Sequence, residues 1–454
     1  MEHQKFANIL KNYINESKLT ISSLSRYSNV NRTLIQKFIA GSQLPSNYET
    51  LEKILNHLAL TSSQKNQLKQ LYKIEKMGLE KYEQLNMLDD FINNISSYHQ
   101  NHSNYYIQIN LKQQLNQAKN REELKLLLYS FLTSIEDETL DLLLNIDDVL
   151  YPVILQFMKQ KKFNIRIILC LSNQYNHYSF NLLQLKKLLP FLEFKNIDIH
   201  YTYLDNPNLY SLYPFSISSK KQLLLINHSI SQGLSVNNFN FQKEFDYKFI
   251  NTHNLIEVFH DNISSLKNIL NFNDPNQKAI YYCGDLFLLP YFDEQLLESH
   301  YIGKEKYKHE VINSFIKFKK HIHENIIKNG LCLYCQLQPI LDDYLPLGLS
   351  SQLFKPFNKN ELKSTYHNLL NDLNKNSKIE FITFKKNNIF AKDIIIQTNR
   401  TKTLIKNNYL SFNILESSIN QNFKRLPYLL NEFKEVIYTN EKSIQYLSNY
   451  INNL

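Results

Sequence analysis

Glycine is the most telling scarcity in this chain. Only seven (Gly41, Gly78, Gly233, Gly284, Gly303, Gly330 and Gly348) stand among 454 residues, where about 30 would be usual. The closest two, Gly330 and Gly348, are eighteen residues apart. No G-x-G-x-x-G loop, P-loop or G-x-S-x-G elbow can be built on that spacing. This excludes the sequence-readable nucleotide-binding enzymes and the ordinary serine hydrolases. Four cysteines (Cys170, Cys283, Cys332 and Cys335) make no disulfide framework in a chain this long. No apolar run approaches the ~20 residues of a membrane span. The opening MEHQKFANILKNYINESK is charged and polar where a signal peptide needs an apolar stretch. Together these point to a cytoplasmic protein with no membrane partner.

What is present suffices for a large core. The chain is 43% hydrophobic and 20% charged, and at roughly 150 residues per domain its length predicts two or three domains. The formal charge is +9. Heavy use of Lys, Asn, Ile, Tyr and Phe looks like coding bias, so the distribution of charge carries more than its sum. Residues 1–80 hold eleven basic and six acidic side chains, a balance of +5, leaving +4 for the other 374. A basic N-terminus is what a polyanionic partner would require.

The first sixty residues read as short helices. Phe6, Ile9, Leu10, Tyr13 and Ile14 recur at helical spacing. Thr20 suits the N-cap of a segment from Ile21 to Tyr27, and Asn31 that of a helix from Arg32 to Ala40. Gly41 stands where a left-handed residue ends it. Pro45 and Ser46 are expected to begin a fourth helix, with Leu51, Ile54, Leu55 and Leu58 on one face. A fifth begins at Thr61 and carries Leu68, Leu71, Tyr72 and Ile74. From 80 to about 160 the pattern is read as helical, with polar breaks near 99–104 and 118–122, and 121–144 as strongly apolar on one side. This stretch offers a dimer surface or plain core helices.

Near 163 the texture changes. NIRIILCL (164–171), IDIHYTYL (197–204), KQLLLINH (221–228), KIEFITF (378–384), KDIIIQT (392–398) and KTLIK (402–406) read as strands. Helices are expected at 180–192 and around 250–271, 305–328, 358–374 and 416–432. Alternating strands and helices predict an α/β domain with a mixed sheet. Stretches 164–271 and 330–452 suggest two related halves.

Residues 19–46, LTISSLSRYSNVNRTLIQKFIAGSQLPS, resemble without a gap the helix-turn-helix of the lambda-repressor and Cro-like (XRE) transcription regulators. In that pattern Leu24 and Val30 form the inner corner, Ile35 and Phe38 anchor the second helix, and Gly41, Pro45 and Ser46 supply the closing G-x-x-x-P-S. Two positions depart from it: Ser25 stands where the family has Ala, and Asn29 where it has the turn Gly. A small residue still lets the helices approach, and Asn replaces Gly best at positive φ. The resemblance implies an exposed face of Arg32, Thr33, Gln36 and Lys37 for the DNA major groove. Arg and Lys donate to guanine, and Gln pairs with adenine. Thr20 and Asn31, with the main-chain N–H groups at the helix starts, would meet phosphates, as would Ser42 and Gln43. Residues 61–92 look like the continuation found in large regulators of low-GC Gram-positive bacteria.

Other signals are weaker. Cys332 and Cys335 form a C-x-x-C downstream of His321 and His323, a set chemically able to hold zinc. The cysteines alternate with Leu331 and Leu333 in a strand-like run, which favours buried structural thiols. No H-E-x-x-H occurs, and no H-x-K-x-x-x-x-D, so phospholipase-D-type chemistry lacks its motif. His99 and His102 sit in a polar loop. The adjacent acids Asp89-Asp90, Asp147-Asp148 and Asp342-Asp343 diverge in space rather than pair. The turn-like run Tyr281 to Asp285 would line a pocket or merely separate two helices.

The expected architecture is α+β and multidomain. A helix-turn-helix domain (1–60) is followed by a helical connector or dimerisation region (61–160) and a mixed-sheet α/β domain (161–454). The expected function is a transcriptional regulator that reads double-stranded DNA as a homodimer and senses a small molecule or peptide through its C-terminal domain, with no cofactor. The alternative is a DNA-targeted, hydrolase-like enzyme whose site would be assembled from distant His, Asp and Glu residues.

Overall fold

The computed structural model describes the chain except for residues 1–3, 97–115, 136–138, 149, 161–162, 174–177, 204–212, 238–241, 340–342, 385–389, 434–436 and 453–454. His99, His102, Asp342 and the expected break at 99–104 therefore lie outside the described residues. Two compact units make up the molecule. One comprises Met1–Met87 with Pro427–Glu435, the other Leu88–Leu426 with Val436–Leu454.

The first unit opens with α1 (Gln4–Glu16), α2 (Ile21–Ser28), α3 (Arg32–Ile39), α4 (Tyr48–Leu55) and α5 (Ser62–Met77). Local chemistry places each end. Thr20 caps α2 by accepting from the Ser23 N–H, and Asn31 caps α3 by accepting from the Thr33 N–H. Asn29 is left-handed at φ 53° between α2 and α3, and Gly41 at φ 69° follows α3, as the sequence predicts. The fourth helix begins later than expected. Asn47, not Pro45 or Ser46, caps it, because its side chain reaches the Thr50 N–H at 2.8 Å. A reciprocal Thr61–Gln64 capping box starts α5. One apolar cluster unites all five helices, with Phe6, Leu24, Ile35, Phe38, Leu51 and Leu68 buried. Tyr72 of α5 completes it, its ring 6.2 Å from that of Phe6. Leu79–Ser96 forms α6.

The second unit holds two mixed sheets. The first runs β1 (Gln117–Ala118), α7 (Arg121–Ser134), β2 (Thr139–Leu144), α8 (Leu150–Gln160), β3 (Asn164–Leu171), α9 (Tyr178–Leu188) and β4 (Ile197–Tyr203). It continues through β5 (Phe215–Ser218), β6 (Gln222–Ile226), β7 (Gly233–Asn237), α10 (Gln242–Ile250) and β8 (His253–Asn254). The second runs β9 (Ile256–Val258), α11 (Asn262–Asn271), β10 (Ala279–Cys283), α12 (Glu294–His300), α13 (Glu305–Lys328), β11 (Leu331–Cys335), α14 (Lys359–Lys375) and β12 (Ile379–Thr383). Then come β13 (Ile395–Thr398), β14 (Thr403–Lys406), β15 (Ser411–Ile414), α15 (Ser417–Phe423), α16 (Leu426–Tyr428) and α17 (Asn440–Asn452).

The two sheets share one strand order. The first is β1-β7-β6-β5-β2-β3-β4-β8 and the second, read from its other edge, β9-β15-β14-β13-β10-β11-β12. In each, three parallel strands joined by helices (β2-β3-β4, β10-β11-β12) continue into an antiparallel meander. The meander ends on the short strand that comes first in the chain among the strands of its sheet. Even the edge strand β8 has a counterpart, an antiparallel bridge between Phe384, just past β12, and Ile437. The repeat therefore begins at 117 and 256, not at 164 and 330 as the texture of the sequence suggests.

Three other expectations are corrected. The apolar segment 121–144 is not one helix: α7 ends at Ser134 and Thr139–Leu144 is a central strand. A strand covered on both faces reads as a continuous apolar run, which periodicity cannot tell from a helix. Asp141 of that strand pairs bidentately with the opposed Arg166 of β3 (2.7 Å to each oxygen), which pins the register. Residues 250–271 divide into β8, β9 and an α11 capped by Asp261. The expected helix at 416–432 is broken into short pieces around Pro427.

Candidate nucleic-acid interface

The geometry of α2 and α3 follows from four buried side chains. Leu24, Val30, Ile35 and Phe38 face the apolar cluster. Period 3.6 then obliges Arg32, Thr33, Gln36 and Lys37 to the opposite side of α3, where all four are exposed. Arg32 and Gln36 are one turn apart, as are Thr33 and Lys37, so the four side chains share a face. Neither helix contains a carboxylate (ISSLSRYS, RTLIQKFI), and the start of α3 adds the positive end of its dipole.

The turn is held by more than its left-handed residue. The Ser25 hydroxyl donates to the Val30 carbonyl at 2.6 Å, tying α2 to the turn just before the N-cap of α3. The Ser28 hydroxyl donates to the Leu24 carbonyl at 2.6 Å. Serine at the position the resembled family fills with alanine thus adds a clasp, one that the sequence pattern does not reveal.

The remaining four predicted contacts are exposed as well, but part of their hydrogen-bonding capacity is spent on structure. Thr20 Oγ1 and Asn31 Oδ1 accept the capping N–H groups, so the Asn31 Nδ2 is its group left for an outside acceptor. The Ser42 N–H and hydroxyl both donate to the Lys37 carbonyl, closing the end of α3. Gln43 is exposed beside it. The sequence did not single out a neighbouring cluster, in which the Arg26 guanidinium lies 5.3 Å from the centre of the exposed Tyr27 ring and the His57 ring, tilted by 32°, has its centre 6.2 Å from the same ring.

The cysteine–histidine set does not assemble. Cys332 and Cys335 are both buried in β11, and three residues apart on a strand they point to opposite faces. Burial pushes the Cys332 thiol up to about 12, and the Cys335 thiol lies against Cys283. His323 faces Asp372 at 3.8 Å, while His321 lines a separate cavity with Glu324 and Lys328. Among the described residues no three of His, Cys, Asp and Glu converge as metal ligands. Three of the paired acids meet separate cations, Asp90 with Lys186, Asp147 with Arg121 and Asp148 with Lys187.

The run Tyr281 to Asp285 is not a turn between two helices. It forms the end of β10 and the residues just past it, buried in the second sheet. There Asp285 accepts from the Tyr344 hydroxyl at 2.6 Å and from the Leu286 N–H at 2.7 Å. Burial nonetheless pushes its carboxyl up to about 6. A carboxyl whose pKa rises on folding binds its proton more tightly in the native state. Stability from this group is therefore fully present below pH ~4 and is lost as pH rises to ~6, by roughly 3 kcal/mol in all. Denaturant unfolding of wild type and Asp285→Asn between pH 4 and 7 should show wild type losing ground by about that amount. A pH-independent difference would mean that Asp285 is not buried as described. Lys406 shows the opposite case, lowered to about 8 by burial with its ammonium donating to the Asn407 carbonyl.

No protein-family model matches the sequence, and no curated protein matches it at a significant level.

Proposed function

We propose that this chain is a sequence-specific, DNA-binding transcriptional regulator whose α2 and α3 act as a helix-turn-helix of the lambda-repressor and Cro-like kind. The observation that carries this reading is the exposed, carboxylate-free α3 face of Arg32, Thr33, Gln36 and Lys37 on a corner closed by left-handed Asn29. With α3 in the major groove, Arg32 and Lys37 donate to guanine O6 and N7 and Gln36 pairs with adenine. Thr20, Asn31, Ser42 and Gln43 fall near the phosphates. One such helix reads only a half-site, so useful affinity requires a homodimer with half-sites ~34 Å apart. The second unit is larger than dimerisation needs, and we assign it the sensing of a small-molecule or peptide effector.

Fluorescence anisotropy of the full-length protein on DNA from upstream of its own gene, against scrambled DNA at two salt concentrations, tests this. Preference for the upstream DNA, weakened by salt, is the expected result. Lys37→Ala should cost ~1–3 kcal/mol on the preferred site and relax the preference at one base pair, with the fold unchanged. Equal binding to both DNAs, or none, would overturn sequence-specific reading by the protein alone.

A further inference from the structure

Several lysines of the second unit end on a carboxylate, Lys186 on Asp90, Lys187 on Asp148, Lys267 on Glu310 and Lys278 on Glu380. A different balance holds from Thr398 to Leu426. That stretch carries five basic residues (Arg400, Lys402, Lys406, Lys424 and Arg425) and one acid, Glu416. Glu416 is fully buried, and it accepts from the Ser418 and Ile419 N–H groups and from the Ser418 and Tyr203 hydroxyls. Arg400 and Lys424 are exposed and Lys402 is half-buried. Among the described residues no ion pair takes any of these three.

A fixed turn brings them together. Thr398 pairs with Thr403 at the end of the β13–β14 hairpin, which leaves residues 399–402 to cross over. Asn399 Oδ1 folds that crossing by accepting from the Thr401 N–H at 3.0 Å, the Lys402 N–H at 2.9 Å and the Thr401 hydroxyl at 3.2 Å. From behind, α15 holds the same turn. Asn420 Nδ2 donates to the Asn399 and Arg400 carbonyls at 3.2 Å each, and Asn420 Oδ1 accepts from the Thr403 hydroxyl at 2.6 Å. Lys424, the C-cap of α15, donates to the Arg400 carbonyl at 3.4 Å.

The turn therefore presents positive charge on a backbone that has little left to order when a partner arrives. Lys402 Nζ rests 5.0 Å from the centre of the Phe272 ring, which steadies the ammonium without neutralising it. Lys424 uses one of its three donors on the Arg400 carbonyl and keeps two. The Arg400 guanidinium, always charged, offers the fork that fits a phosphate. Like charges held together repel, and an anion relieves that repulsion. An exposed hairpin tip gives a small anion no enclosure, so the fitting partner is one that brings many phosphates with it.

We propose that Arg400, Lys402 and Lys424 bind the phosphate backbone of duplex DNA, as a second contact surface apart from α3. The choice of DNA as the polyanion rests on the reading of this chain as a DNA-binding regulator. The contact itself holds the duplex and carries no sequence preference.

Salt titrations of the full-length protein on scrambled duplex DNA, between ~50 and ~200 mM salt, test it. Arg400→Gln, Lys402→Gln and Lys424→Gln combined should lower the slope of log affinity against log salt by about 3 and weaken binding ~10-fold or more at the low-salt end. On the preferred site the same fold-loss is expected, so the preference survives, whereas Lys37→Ala erodes it. A charge-matched control removes the exposed Lys317, Lys363 and Lys375 in the same way and should leave the slope close to that of wild type. The melting temperature should not move in either variant, as befits surface positions. An unchanged slope in the first variant would overturn the proposal whatever α3 does, and an equal loss in the control would reduce the effect to net charge and overturn it too. Wild type that binds both DNAs alike, with the slope still lowered by the first variant, would sink specific reading and leave this surface standing.

Discussion

Phe38→Ala will unfold the N-terminal helical unit while leaving the sheets intact. Phe38 is fully buried in the cluster joining α1 to α5, and removing its ring leaves a void that short helices cannot close without losing other contacts. Phe→Ala at such a site costs about 3–5 kcal/mol, a large part of what a unit of this size has to spare. Amide exchange in the full-length protein should show α1 to α5 losing protection, with β2, β3, β10 and β11 unchanged. If the proposed DNA reading holds, binding to every DNA should fall together, unlike the site-specific loss expected from Lys37→Ala. Retained protection in α3 would mean that the second helix is not anchored as described.

Gly284→Ala will destabilise the second unit by about 3 kcal/mol or more, beyond most overpacking substitutions. A Cβ at this position would lie 1.7 Å from the Ala391 carbonyl oxygen and 2.7 Å from its carbonyl carbon. Both neighbours are backbone, so no side chain can swing aside. Nor can the end of β10 shift freely. The Gly284 N–H donates to the Ile394 carbonyl at 2.9 Å, and its carbonyl accepts from Gln336 at 3.0 Å and Gln338 at 3.2 Å. Denaturant unfolding followed by amide exchange should show the loss in β10, β11 and β13, with α1 to α5 unaffected. A change below about 1 kcal/mol would show that the segment at 391–394 yields.

The scarcity of glycine gives this substitution its meaning. In a chain that uses so few, Gly284 and Gly41 are kept for different reasons, one for close approach of backbone and the other for a left-handed helix end at φ 69°. Only the second was legible beforehand, because a helix end announces itself within a few residues. The approach of Ala391 to Gly284 joins positions more than a hundred residues apart.

The same division runs through the rest of the molecule. The caps Thr20, Asn31 and Thr61, the left-handed Asn29 and the exposed face of α3 follow from the sequence, because each depends on residues within one or two helical turns. Seven of the fifteen described strands of the second unit, β3, β4, β6, β11, β12, β13 and β14, are legible as short apolar runs for the same reason. Tertiary structure decided that Thr139–Leu144 is a central strand, since an apolar run buried on both faces has no period of its own. It decided the shared strand order of the two sheets, which strand-like segments alone do not encode. It also placed Lys424 beside Arg400. That neighbourhood exists because α15 folds back on the turn between β13 and β14, through hydrogen bonds from Asn420 and Lys424 that span 20 to 24 residues of chain, too far apart to leave a pattern within one or two helical turns.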